Sequence, residues 1–377
     1  MSRKTLLRTG PIRQSGASPY GPITEPGPGE PAAPGGTGGL GGQAGSGGSA
    51  GPGRPAVPGG FRGRVVARSG GKVAGLTWHA APGAGACFPD GPGWIYVSNA
   101  ALPVVGGASA LRFRPDGSVG GAYRILSGTE VNRGGGATPW HTWLSCELGH
   151  RGRVFECDPY GMRAGRPRLA MGRFAHGGAA CDPGLGVVYL TEAERDGCFY
   201  RFRPGDWGDL TEGTLEVLCG SGAWERVPSP AALLKPVRHQ VAGARRFDGG
   251  DACHYADGVC FLTTRGDTTR GDTTRSGAAT VGGALWAYDT RTGAVERVCD
   301  GVGAVTAAPS GDLYVARRGS RIDVVTPDRE MAPFLTLDGD AELSGLAFAP
   351  GGDRLYFSAT AASGEATTYE VAGPFRG

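Results

Sequence analysis

One short unit recurs along this chain and restricts its fold more than any other feature: a Gly- or Pro-containing turn followed by an apolar strand with an aromatic residue near its middle. The unit occurs five times, as PDGPGWIYVSNAA, DPGLGVVYLTEAE, YADGVCFLTTRGD, APSGDLYVARRGS and APGGDRLYFSATA. Other short apolar or alternating runs, such as ALRFR, RVFEC and ALWAY, lie between the copies, and helical periodicity is nearly absent. Many short strands separated by turn signals indicate an all-β fold.

The spacing of the copies favours a β-propeller over a β-sandwich. The copies recur at irregular intervals of one to two blade lengths, which is typical of a propeller whose loops carry insertions. We therefore predict an all-β propeller of six or seven blades over residues 61–377. In such a fold these strands end near the central channel, so the residues at their exits are expected to line the functional face.

The first 60 residues differ in composition from the rest. They contain few aliphatic residues and include low-complexity stretches such as GGTGGLGGQAGSGGSAGPG, from which no hydrophobic core can be built. Residues 1–60 are therefore predicted to form a disordered Gly/Pro-rich arm. The arm begins with SRKTLLR, similar to the start of a twin-arginine export signal, but TGPIRQSGASPYGP follows where such a signal has an apolar segment. The expected location is the cytoplasm.

Composition excludes several classes of partner. No stretch approaches the roughly 18 to 20 apolar residues of a membrane-spanning helix, so no membrane association is expected. The net charge of +3 is small for 377 residues, and no basic run is interleaved with aromatic residues, which argues against nucleic acid. The nine cysteines occur singly and are expected to be buried reduced thiols rather than zinc ligands. The duplicated RGDTTRGDTTR is expected to be a solvated hairpin tip.

Several longer motifs resemble a known family. The stretch NRGGGATPWHTWLSCE at 132–147 is similar to NCAGGxTPWGTWLSCEE, a signature of the PhoX-type alkaline phosphatases. GRFAHGGAACDP at 172–183 resembles GRFxHEAAAxDP, and RFDGGDACHYADGVCF resembles RFxGGEGCxYxDGVxYF. The similarity continues in order from about Phe61 to the end of the chain. This resemblance implies a β-propeller that holds a cluster of calcium and iron ions and hydrolyses phosphate esters.

The chain departs from the family pattern where the metal cluster is expected. Arg133 stands at the position of the family's bridging cysteine. The carboxylates that remain are interpreted as vestigial metal ligands: Glu147, Glu192, Asp251 and Glu342. Calcium takes six to eight oxygen ligands, so this reduced set is expected to be empty or to hold a single calcium ion. No cofactor is therefore expected, with calcium as the exception if the reduced site still works.

Arginine residues take the place of some lost ligands. Arg317 and Arg318 replace a Glu-Asp pair of the family, and since they are adjacent on a strand only one of them can face the channel. A guanidinium cannot lose its charge and must pair with an anion. The expected ligand-binding residues are Arg133, His141, His176, Arg317 and Arg318, with His176 and Arg133 as catalytic candidates if the protein is an enzyme. For both histidines a hydrogen-bonded structural role is the alternative.

Three functions remain open on the sequence alone. The leading hypothesis is a PhoX-related propeller that has lost metal-dependent phosphatase activity and serves as a pseudo-phosphatase, a binder of an anionic small molecule or a metal-free biosynthetic protein. The second is a residual calcium-dependent phosphoesterase, built on the four carboxylates, in which Arg133 binds the phosphate. The third is a scaffold that presents one propeller face to a protein partner.

Overall fold

The computed structural model describes residues 11–24, 53–266 and 283–376. In these residues β-strands dominate, and the helices are two single 3-10 turns, Leu169–Met171 and Val237–His239. No helix in these three ranges is long and apolar enough to cross a membrane. Six sheets of four or more strands form the blades of a propeller, which confirms the predicted fold class and sets the number of blades at six.

Short strands precede the first blade, and the longest of them closes the ring. They are β1 (Arg13–Gln14), β2 (Ile23–Thr24), β3 (Val57–Pro58), β4 (Arg62–Arg68), β5 (Lys72–Val73) and β6 (Leu76–Thr77).

The first three blades are antiparallel sheets that succeed one another along the chain. Blade 1 contains β7 (Pro82–Asp90), β8 (Gly93–Ala100), β9 (Gly106–Phe113) and β10 (Val119–Thr129). Blade 2 contains β11 (Asn132–Ala137), β12 (Trp143–Glu147), β13 (Val154–Cys157) and β14 (Arg166–Pro167). Blade 3 contains β15 (His176–Asp182), β16 (Val187–Glu192), β17 (Gly197–Asp206), β18 (Asp209–Leu218), β19 (Trp224–Arg226) and β20 (Arg246–Phe247).

The last three blades have the same plan. Blade 4 contains β21 (Gly250–Ala256), β22 (Val259–Thr264), β23 (Ala284–Asp289) and β24 (Val295–Asp300). Blade 5 contains β25 (Val302–Ala307), β26 (Leu313–Arg317), β27 (Arg321–Val325) and β28 (Glu330–Thr336), with β1 added in parallel at its outer edge. Blade 6 contains β29 (Ala341–Phe348), β30 (Arg354–Ala361) and β31 (Ala366–Ala372), and β4 from the beginning of the chain completes it.

The repeated unit of the sequence is the second strand of a blade together with the turn before it. Its five copies contain β8, β16, β22, β26 and β30. The sixth second strand is β12, which lies inside the 132–147 motif. Its preceding turn has no Gly and instead places His141 at φ 61°, a left-handed conformation. All five copies have Gly in this turn, so a pattern that requires Gly finds five copies rather than six.

The predicted site residues lie at one end of the blades. In three blades the register pairs the start of the innermost strand with the end of the second strand, matching Asn132 with Glu147, His176 with Glu192 and Val302 with Arg317. We call this side of the propeller the upper face. The exits of the repeated strands therefore share one face, as expected from the fold.

The Gly-rich run of the 132–147 motif has a packing role. A side chain on Gly134 would overlap the carbonyl oxygen of Gly177, and a side chain on Gly136 would overlap that of Ala179. The innermost strands of blades 2 and 3 therefore touch through their backbones, a distance that only glycine permits.

Part of the predicted N-terminal arm contacts the propeller. The Tyr20 ring packs edge-on against Phe61 with centroids 5.1 Å apart, and its hydroxyl lies 2.7 Å from that of Tyr314. β2 pairs with β3, and Val57 in β3 is buried. The described pieces 11–24 and 53–60 of the predicted arm therefore use their few apolar side chains to dock on the blades. The SRKTLLR segment and most of RGDTTRGDTTR lie outside the described residues.

The hydrophobic core lies between adjacent blades. Its largest fully buried side chains are aromatic, including Trp78, Trp143 and Tyr200. All nine cysteines fall within the described ranges as free thiols, and seven of them are buried, in agreement with the expected reduced thiols.

Candidate functional site

A cavity of about 350 Å³ runs along the propeller axis. Its wall is built from the innermost strands and consists mainly of Gly, Ala and other small or apolar residues. The charged residues that line it within the described ranges are Arg133, Asp251 and Glu342. We call these three residues, together with Arg265, the mouth cluster.

The mouth cluster is a network of ion pairs. Arg133 donates a hydrogen bond from Nη2 to Glu342 Oε1, and its Nε lies 3.7 Å from Asp251 Oδ1. Arg265 donates from Nη2 to the same Asp251 oxygen at 3.0 Å. Burial lowers the pKa of Arg133, but Asp251 and Glu342 outweigh burial, so the pKa lies above the usual arginine value. Arg133 is therefore charged at every physiological pH, and the cluster holds two cationic and two anionic groups.

Glu147, the first predicted metal ligand, is a buried partner of Arg153. Its Oε2 accepts hydrogen bonds from the backbone N–H and the Nε of Arg153, both at 2.9 Å. Its Oε1 accepts from Arg153 Nη2 and from the backbone N–H of Glu130, both at 3.1 Å. Both oxygens are thus occupied, and the carboxylate fixes the β12–β13 turn.

Glu192, the second predicted ligand, is completely buried and pairs with Arg238 at 3.1 Å. Its other oxygen accepts from the hydroxyl of Tyr200 at 2.6 Å and from the backbone N–H of Cys198 at 3.3 Å. Burial raises the pKa of Glu192, and the hydrogen bond from Tyr200 and the charge of Arg238 offset only part of that rise. This carboxylate ties blade 3 to the segment that carries Arg238.

These carboxylates do not fit the calcium and iron cluster that the family resemblance implies. In the three described ranges no group of three or more His, Cys, Asp or Glu side chains is placed to hold a metal ion. Each of the four candidate ligands already has an arginine partner. A cation would have to replace a guanidinium at every position, and hard cations need several oxygens at once.

His176 lies on the upper face but does not line the cavity. It is completely buried, its ring lies 3.7 Å from that of Phe174, and its Nε2–H donates to the carbonyl of Gly172 at 3.1 Å. Burial lowers the pKa of His176 to about 3, so the ring is neutral near pH 7. This geometry corresponds to the structural alternative for this residue.

The other predicted ligand-binding residues are separated from the cavity. Arg317 donates from Nη1 to the sulfur of Met331 at 3.2 Å, and its Nε lies 3.7 Å from Asp323. Arg318 is exposed in the following turn. His141 lines a different, open pocket of about 560 Å³ on blade 2. The expected entry of Arg317 or Arg318 into the channel is therefore corrected, because β26 is a second strand and its side chains lie behind the innermost strand.

The retained residues of the 132–147 motif form a buried polar network. Asn99 accepts hydrogen bonds from Trp143 Nε1 and Ser145 Oγ, both at 2.9 Å, and donates to the carbonyl of Gly134 at 2.6 Å. Asn132 donates to Ser145 Oγ at 2.9 Å. The motif thus joins blades 1 and 2, and Asn99 is a member that the sequence analysis missed, although it lies in the repeat exit SNAA.

Arg153, Arg238 and Arg265 are the partners that sequence reasoning did not find. Arg153 and Arg238 lie outside the quoted site motifs, and Arg238 is 46 residues from Glu192 along the chain. Arg265 stands at the exit of the repeat copy YADGVCFLTTRGD but was not named as a site residue. Charge counts give no signal for these pairings, since the chain has 38 Lys and Arg against 35 Asp and Glu.

The comparisons with known proteins agree with the propeller fold. Residues 104–224 match the family model described as alkaline phosphatase PhoX. A Pseudomonas fluorescens PhoX structure in complex with vanadate, a transition state analogue, is similar with a TM-score of 0.67 and 15% identity, covering 86% of this chain and 97% of that one. A Bacteroides thetaiotaomicron protein of unknown function is similar with a TM-score of 0.51 and 11% identity, covering 83% and 76%.

A search of the curated proteins gave no match. The solved structures support the six-bladed fold, and the family model supports the relationship that the motifs suggested. The predicted resemblance to the PhoX alkaline phosphatases is therefore confirmed, with residues 104–224 matching the family directly.

Proposed function

We propose that this protein is a PhoX-related propeller that has lost the metal-dependent phosphatase site and binds an anionic small molecule at its channel mouth. One observation carries the proposal: each of the four carboxylates expected to hold metal is paired with an arginine. Such pairing neutralises the negative charge that would attract calcium or iron and leaves a guanidinium at the position of the ligand.

The mouth cluster supports an anion as the ligand. Arg133 is 29% exposed, whereas its partner Glu342 is 62% exposed and is held through a single carboxylate oxygen. Because an exposed ion pair contributes little free energy, a carboxylate or phosphate can replace Glu342 at small cost. Asp251 stays in place through Arg265. The incoming anion would then form the two-pronged pairing that a guanidinium favours.

The cavity wall adds a preference for the rest of the ligand. Below the mouth it consists mainly of small and apolar residues such as Ala304, Val305, Leu343 and Leu346. A ligand with an anionic end and a slender apolar body would match both regions, since binding pockets combine an apolar lining with a few placed polar groups.

The first experiment is elemental analysis of the protein, expressed without added metal and with calcium and iron supplied. We expect less than stoichiometric metal in both preparations and no hydrolysis of p-nitrophenyl phosphate. Stoichiometric metal with chelator-sensitive hydrolysis would overturn the proposal and select the residual phosphoesterase.

The second experiment tests the anion site directly. Short-chain carboxylates and alkyl phosphates are expected to raise the melting temperature of the wild type in a thermal-shift assay, and to raise it less in Arg133→Gln. Arg318→Gln removes the same charge from an exposed position outside the cavity and should bind like the wild type. Equal binding by both variants would contradict a role for Arg133.

A further inference from the structure

A second pocket on the upper face has an unbalanced positive charge. Its volume is about 200 Å³, and its lining includes Arg151, Arg173, Phe174 and residues 232–238. None of these residues lines the axial cavity. The pocket is therefore separate from the mouth cluster, and a ligand bound in it would be independent of the function proposed for the channel.

The guanidinium of Arg173 forms a hydrogen bond through one of its three nitrogens. Its Nε donates to the carbonyl of Arg151 at 2.8 Å, while neither terminal nitrogen has an acceptor in the described part of the chain. Arg151 donates to the carbonyls of Ala232 at 2.6 Å and Ala231 at 3.0 Å. Within the same part of the chain, neither arginine pairs with a carboxylate.

The neighbouring arginines differ in this respect. Arg153 pairs with Glu147, and Arg238 pairs with Glu192, Asp196 and, at 3.9 Å, Glu194. Glu194 also lies 3.2 Å from His150, another residue of the pocket lining. Burial lowers the pKa of Arg173, and the nearby charges of Arg151 and Arg153 lower it further, with Glu147 opposing them. In the described part of the chain, Arg151 and Arg173 thus lie close together without a paired carboxylate, which indicates that the pocket favours an anion.

Part of the pocket rim is apolar, beside the exposed Lys235 and His150. Leu233 and Leu234 are 75% and 102% exposed. They follow Ala231 and Ala232, whose carbonyls accept hydrogen bonds from Arg151. Phe174 contributes an aromatic side chain to the lining. Exposed leucines beside a charged pocket suggest a ligand with an apolar part next to its anionic group.

We propose that this pocket binds a small organic phosphate or carboxylate. Its anionic group would pair with the terminal nitrogens of Arg173 and with Arg151, and its apolar part would cover Leu233 and Leu234. Arginine suits this role because its planar fork matches the two oxygens of a carboxylate or phosphate.

Calorimetric titration of the full chain with hexyl phosphate, inorganic phosphate and hexanol tests the proposal. The titrated protein carries Arg133→Gln throughout, so that the mouth cluster does not contribute, and this background serves as the wild type for the variants below. We expect hexyl phosphate to bind most tightly, phosphate more weakly, and hexanol not at all. Arg173→Gln should weaken hexyl phosphate binding about tenfold or more, since hydrogen bonds between charged groups are lost. Arg163→Gln, at an exposed arginine of the other surface pocket, should bind like the wild type.

Two further variants keep the test independent of folding. Arg173→Lys retains the charge but not the fork, so it should fold normally and bind hexyl phosphate at an intermediate strength. The double variant Leu233→Ser/Leu234→Ser should bind inorganic phosphate like the wild type and lose the advantage of the hexyl chain. Unchanged hexyl phosphate binding in Arg173→Gln with a wild-type melting temperature would overturn the proposal.

The same chemistry could be offered by a lipid headgroup. Sedimentation with phosphatidylglycerol vesicles, compared with phosphatidylcholine vesicles, separates the two sources. Vesicle binding that depends on Arg173 and on the two leucines would assign the site to a membrane lipid. Binding of hexyl phosphate without vesicle binding would assign it to a soluble ligand.

Discussion

The upper face carries two kinds of acidic residue, and they differ in burial. The rim pairs, Glu147 with Arg153 and Glu192 with Arg238, contain carboxylates that are 3% and 0% exposed. In the mouth cluster, Glu342 is 62% exposed and faces the axial cavity. All three carboxylates stand where the resemblance implies metal ligands, yet the rim pairs hold the blades together and the mouth pair lies where a ligand could displace it.

The largest effect is expected from breaking the pair between Glu192 and Arg238. Arg238→Ala leaves a completely buried carboxylate without its cation, which should lower the free energy of unfolding by about 3 to 5 kcal/mol at pH 7. Urea denaturation measures the loss. The double variant Glu192→Gln/Arg238→Ala should recover part of it, and an equal loss in both variants would show that packing rather than charge is responsible.

A smaller loss is expected at the other rim pair. Arg153→Ala removes two charged hydrogen bonds, but Glu147 keeps the backbone N–H groups of Glu130 and residue 153. We expect a loss near 1.5 kcal/mol, the lower end for hydrogen bonds to charged groups, because the Arg153 side chain is 35% exposed. Urea denaturation in low and high salt tests this. Because Glu147 is buried, added salt should reduce the contribution of its pair with Arg153 only slightly. A loss as large as that of Arg238→Ala would remove the distinction between the two pairs.

Lowering the pH should reduce the free energy of unfolding through the buried His176. The pKa of this residue is about 3 in the folded protein and near 6.5 when unfolded, so its neutral form contributes stability fully above pH 6.5 and progressively less as the pH falls towards 3. The contribution changes by about 1.4 kcal/mol per pH unit between these values. His176→Gln should therefore show a shallower fall of unfolding free energy from pH 6 to pH 5 than the wild type. Parallel curves for the two proteins would contradict a buried neutral histidine.

The smallest effect on stability is expected at the mouth. Glu342→Gln should change the unfolding free energy by less than about 1 kcal/mol, because the pair with Arg133 is exposed. The same variant should bind anions more tightly than the wild type, since Arg133 no longer has this competitor. A large loss of stability without a gain in binding would place Glu342 with the rim pairs instead.

The fold could be predicted because its signal is local. Alternating strands and Gly or Pro turns report on neighbouring residues, and five of the six second strands carry that pattern. The 132–147 motif hid the sixth, because its turn uses a left-handed His141 in place of glycine. Docking of Tyr20 was also hidden, since one aromatic residue in a Gly-rich segment gives no periodic signal.

The site was less accessible to prediction because ion pairs depend on tertiary contacts. The resemblance correctly placed Arg133, Asp251 and Glu342 at one channel mouth. It did not supply Arg238, which is 46 residues from Glu192, or Arg265, which meets Asp251 across the β21–β22 hairpin. Comparing the sequence with the family motif therefore locates the site residues. Which residue pairs with each of them, and hence the net charge there, is known only from the structure.

The closure of blade 6 has a consequence for biosynthesis. Residues 62–68 pair with residues 366–372, so β4 leaves the ribosome long before its partner β31 has been made. During this interval the early strand has free backbone N–H and C=O groups, which can pair with another chain. Newly made protein should therefore depend on chaperones or slow translation to avoid aggregation, and a circular permutant that makes the four strands of blade 6 consecutively should need less of that help.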